Sequence, residues 1–63
     1  MDPNAALKLL RELRYSIVQN LDSESPDEDE LMEKASEMAD AFEGLDQWLT
    51  KGGFLPHEWT HGR

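Results

Sequence analysis

Sixty-three residues with a net charge of -8 and a sequence pI near 4.4 make one small acidic domain, whose field opposes phosphate backbones and argues against direct nucleic-acid binding. There is no cysteine, which removes disulfides and thiolate metal sites. Apolar runs of two or three residues fall far short of a membrane span or a signal-peptide core, so the chain reads as cytoplasmic. Chains this short bury only about 60% of their unfolded surface, which leaves oligomerisation as the available staple.

Asp2-Pro3 writes a helix start, a carboxylate cap followed by proline at the first helical position. From there Ala6, Leu10, Leu13 and Ile17 keep a 4-3-4 spacing, and Leu7, Leu9, Val18 and Leu21 widen the apolar stripe. The spacing predicts helix 1 over about residues 3-21, with Asn20 and Asp22 as helix-end residues. Asp22-Ser23-Glu24-Ser25 is short and polar, so the next helix should return antiparallel. Lys8, Arg11 and Arg14 would then face the acids of that second helix. Arg11 is expected opposite Glu37, and Lys8 opposite Asp40 or Glu43, each exposed pair worth about 0.2 to 1 kcal/mol.

Helix 2 is predicted over about residues 26-51. Ser25 is expected to cap it, with Pro26 at the first helical position and Glu28 reaching back to the cap amide. Leu31, Ala35, Met38, Phe42, Leu45 and Leu49 keep a 4-3-4-3-4 spacing, the seam of a helix packed on another helix. Asp27-Glu28-Asp29-Glu30 superficially resembles a metal loop. It lacks the central glycine a calcium loop needs, and negative charge in a first turn complements the helix dipole. At 1.5 Å per residue helix 2 would be about 39 Å long against about 28 Å for helix 1. The overhang carries Leu45, Trp48 and Leu49, which either the tail or a second chain must cover.

Gly52-Gly53 followed by Phe54-Leu55-Pro56 ends helix 2, with Gly52 taking the left-handed turn and Pro56 forbidding continuation. Residues 52-63 form the tail. His57-Glu58-Trp59-Thr60-His61 fits the H-E-x-x-H pattern of zinc peptidases. It follows a helix stop and lies at the chain end with no third ligand, so neither a catalytic site nor a bound metal or other cofactor is expected. Phe54, Leu55 and Trp59 are costly to leave in water, and they either pack back on helix 2 or insert into a partner.

The stretch Phe42-Glu43-Gly44-Leu45-Asp46-Gln47-Trp48-Leu49-Thr50-Lys51-Gly52-Gly53-Phe54-Leu55-Pro56, with Trp59, resembles the ending of small acidic proteins common in mycobacteriophages and other actinobacterial phages. Their pattern is aromatic-x-x-Leu-Asp-x-Trp-Leu-Ser-x-Gly-Gly-Phe-Leu-Pro-x-x-Trp, and Thr50 stands here in place of the serine. The resemblance covers about a quarter of the chain and implies a phage origin and a bacterial cytoplasm, without a mechanism. It also implies that Trp48, Gly52, Gly53, Phe54, Leu55, Pro56 and Trp59 act as one unit.

Together these observations predict an all-α protein, an antiparallel helical hairpin with a short C-terminal tail, paired as a homodimer into a four-helix bundle. The expected role is non-catalytic binding of a host protein. The alternative is an acidic nucleic-acid mimic that occupies a host DNA-binding protein, with a metal-dependent hydrolase a distant third. Expected interaction residues are Leu45, Trp48, Leu49, Phe54, Leu55 and Trp59, and expected caps are Ser25, Glu28 and Gly52.

Overall fold

A computed structural model of the chain describes residues 2-60. Among the described residues three helices follow one another: α1 over Pro3–Leu21, α2 over Glu28–Thr50 and α3 over His57–Thr60. The fold is all-α, with no strand among the described residues. At the start of α1 the Asp2 carboxylate accepts from the amides of Asn4 at 3.0 Å and Ala5 at 3.3 Å, two donors that would otherwise lack an intrahelical partner.

α1 and α2 pack side by side as an antiparallel hairpin, 41 × 24 × 13 Å overall. The smallest extent is little more than one helix diameter of about 10 to 12 Å, so the molecule is a single layer. Its radius of gyration is 13.7 Å, against about 10.6 Å for a compact chain of this length. Its accessible surface of 4925 Å² likewise exceeds the roughly 4,100 Å² of a compact monomer of this mass. Two helices in one layer enclose little. Leu7, Leu13 and Leu45 are the buried large aliphatics, joined by Pro3 and Pro56.

The contact face of α2 is rotated from the expected seam. Leu31, Lys34, Met38, Ala41, Leu45 and Trp48, spaced 3-4-3-4-3, are buried or half-buried. Ala35 is exposed instead, and Phe42 is 61% exposed. A stripe at least about 100° wide is broader than one neighbouring helix can cover, so α1 takes one half and leaves the other open. The same happens on α1, where Leu10 and Ile17 are half-buried while Leu9, Val18 and Leu21 remain exposed.

The turn also departs from expectation. Asp27, not Ser25, caps α2, its carboxylate accepting from the Glu30 amide at 3.1 Å, and Glu28 is the first helical residue rather than a reach-back partner. Asn20 decides this. Its side-chain oxygen accepts from the Asp27 amide at 2.7 Å and its Nδ2 donates to the Asp27 carbonyl at 3.2 Å, so one amide clamps the backbone where α2 begins. Ser23 closes the other side by donating its hydroxyl to the Asn20 carbonyl at 2.8 Å.

The expected cross-hairpin ion pairs do not form: among the described residues no cation of α1 lies within 4 Å of a carboxylate of α2. Glu37, Asp40 and Glu43 are exposed, and Arg11 turns instead to Glu58. No helix among the described residues is long and apolar enough to cross a membrane.

Candidate interaction surface

The open end of the hairpin is closed by the C-terminal segment. Helix α2 ends in a complete Schellman arrangement, with the Gly53 amide donating to the Trp48 carbonyl at 2.8 Å and the Gly52 amide to the Leu49 carbonyl at 3.1 Å. Gly52 has φ +90, a left-handed conformation that glycine adopts without a Cβ clash. Gly53 is required for a different reason: a Cβ there would run into the indole of Trp48. That indole, half-buried, donates its N–H to the Phe54 carbonyl at 3.0 Å and meets the Phe54 ring edge-on at 5.4 Å. Trp48, Gly52, Gly53 and Phe54 are thus one interlocked turn.

From this turn the chain crosses to α1. Pro56 is fully buried, and the His57 amide donates to the side-chain oxygen of Asn4. Pro3 and Pro56 precede these two bonded residues, so the two buried prolines mark the same end of the molecule. Asn4 thereby acts as a helix cap supplied from 53 residues away. Within α3 the Trp59 amide donates to the Pro56 carbonyl and the Thr60 hydroxyl to the His57 carbonyl, both at 3.0 Å. Glu58 pairs with Arg11 at 3.7 Å. One helical turn therefore forms beyond the Pro56 stop as far as Thr60, because α1 supplies its cap and counter-charge. His61, the second histidine of the H-E-x-x-H pattern, lies outside the described residues.

The predicted interaction residues divide into two groups. Leu45 is 3% exposed, and Trp48 and Leu49 are half-buried, with Trp48 packed against Gly53 and Phe54 of the tail. Phe54, Leu55 and Trp59 stay 63%, 44% and 40% exposed although the tail has folded back. Pro56 and Asn4 are the anchors that sequence reasoning missed. Pro56 carries the ordinary signal of a helix stop, and Asn4 carries no signal of a partner so distant.

A groove of about 730 Å³ runs along the outer side of α1, between Leu7, Lys8, Arg11 and Tyr15 and the His57-Glu58 turn. Its cations and carboxylates stand beside an apolar floor, and Glu58 is already engaged by Arg11. Among the described residues no three His, Asp or Glu side chains gather in a metal-binding arrangement. On α2, Glu33, Glu37 and Asp40 are exposed along a ridge turned away from α1. No protein-family model matches the chain, and comparison with curated proteins and with solved structures gave no match.

Proposed function

We propose that this chain is a non-catalytic protein-interaction module, made in a bacterial cytoplasm by a phage and acting on a host protein, and that it also pairs with a second copy of itself. The observation that carries the reading is the apolar surface left outside after folding. Met32, Phe42, Phe54, Leu55 and Trp59 are all exposed, against three buried large aliphatics among the described residues. Exposed aromatic and large aliphatic side chains of this kind serve as anchors in partner pockets. Phe54, Leu55 and Trp59 sit on a segment whose backbone is already held by Trp48 and Asn4 and whose Glu58 side chain pairs with Arg11, so binding through them costs little ordering.

The test is capture from an actinobacterial lysate by the immobilised chain. A protein retained at high salt and lost with Phe54→Ala and Trp59→Ala supports the apolar surface as the binding site. A second reading, mimicry of nucleic acid, draws on the Glu33-Glu37-Asp40 ridge. Its signature is a basic DNA-binding protein that is released as salt rises and is indifferent to Phe54 and Trp59. Retention of nothing under either condition would count against both.

A further inference from the structure

We infer that the open face of the hairpin takes a second copy of this chain, stacked so that each α1 lies across the partner's α2. This rests on the self-pairing named above and specifies its surface and arrangement. The first argument is the direction of the apolar stripes. At 3.6 residues per turn, the Leu31-Ala35-Met38-Phe42-Leu45-Leu49 stripe is centred roughly 50° round α2 from the side that touches α1. On α1, Val18 and Leu21 are displaced in the same rotational sense, while the exposed Leu9 is displaced in the opposite one. In two antiparallel right-handed helices, equal displacements in the same sense fall on the same side of the layer. Both helices thus direct apolar residues midway between their neighbour and one common face, as the helices of a four-helix bundle do toward its axis.

Charge names the occupant. Helix α2 carries eight carboxylates against one lysine, whereas α1 carries three cations against one glutamate. A two-fold axis parallel to the helices sets each α1 over the partner's α2, joining opposite charges. A two-fold axis across the helices would stack α2 on α2, eight carboxylates against eight. Arg14, which meets no carboxylate of its own α2, then lies beside those of the partner.

Sedimentation equilibrium of the full chain at high micromolar concentration tests the association. A species of twice 7.2 kDa is expected, and a single 7.2 kDa species would overturn the inference. Phe42→Asp should weaken association at least about 100-fold while circular dichroism stays helical, because Phe42 is exposed in the single hairpin. A variant that still dimerises would overturn the face. The chain has no cysteine, so Arg14→Cys and Ala35→Cys, at the same height of the hairpin, can be mixed and oxidised. A predominant mixed disulfide supports the arrangement. Predominant pairing of the Ala35→Cys chain with itself overturns it. If the monomeric Phe42→Asp chain still captures the host protein, the interaction reading stands apart from this one.

Discussion

The two ends of the hairpin are closed by different physics. At the turn, every residue from 21 to 30 is exposed, and closure rests on the Asn20 amide holding the Asp27 backbone. At the open end, polar contacts such as those of Trp48 and Asn4 are joined by apolar burial: Leu45 and Pro56 are buried, and Trp48 is sheathed by Gly53 and Phe54. Net hydrogen-bond contributions are about 0.5 to 1.5 kcal/mol each, whereas a fully buried large side chain contributes about 1.5 to 3 kcal/mol. The turn therefore defines where α2 begins relative to α1, and the open end holds most of the stability.

The largest expected effect tests that division. Leu45→Ala should cost about 2 to 5 kcal/mol, enough to unfold much of a chain this small. Phe42, a seam residue by spacing, is only partly covered in the single hairpin. Phe42→Ala should cost about 1 kcal/mol or less under monomeric conditions, by the area it removes. Thermal melts followed by circular dichroism at low protein concentration separate the two. Equal losses would mean that the apolar stripe is not split between a covered and an open half.

Gly53→Ala comes next, at about 1 to 3 kcal/mol, because the added methyl must displace the Trp48 indole. Tryptophan fluorescence should change with it, since the Nε1–H bond to the Phe54 carbonyl is disturbed. An unaltered melt and spectrum would show that the indole moves aside freely, and the open end would lose its claim to close packing.

What the residue pattern conveyed, and what it hid, follows the same division between local and distant. Helix-forming stretches are legible because caps, prolines and apolar spacing act within a few residues, as at Asp2-Pro3 and Gly52-Gly53. The choice of Asp27 over Ser25 as cap is not, because Asn20 makes it from seven residues away. Both Ser25 and Asp27 are competent caps, and Pro26 between them suits either reading. Periodicity locates the stripe on α2 but not the fraction of it that one neighbour covers, which is why Phe42 is outside and Lys34 is half-buried. Pro56 reads locally as a helix breaker. Its burial depends on α1, through the Asn4 contact to the following residue.

Asn20→Ala tests the turn directly. It removes the donor and the acceptor of the Asp27 clamp and should cost about 1 to 2 kcal/mol. Hydrogen exchange should report the loss mainly at the first amides of α2, with the amides near Leu45 little changed. Uniform loss of protection along both helices would show that the turn supports the whole hairpin, and the contrast between its two ends would fail.

The smallest expected effect concerns how α3 is held at the open end. Arg11 and Glu58 are both largely exposed and 3.7 Å apart, so their pairing should be worth about 0.2 to 1 kcal/mol and should fade with salt. The pair can be isolated by a double-mutant cycle with Arg11→Ala and Glu58→Gln, measured at low ionic strength and again near 1 M, where the screening length falls to about 3 Å. The readout is iodide quenching of Trp59 fluorescence alongside the melting temperature, with Trp48→Phe as the background so that one indole reports. Coupling that disappears with salt, together with increased quenching of Trp59, would show that charge fixes α3 on α1. Coupling near zero at low salt would leave Pro56 and the Asn4 cap as the whole attachment. The open end would then be held by buried apolar surface and neutral hydrogen bonds, with no contribution from charge.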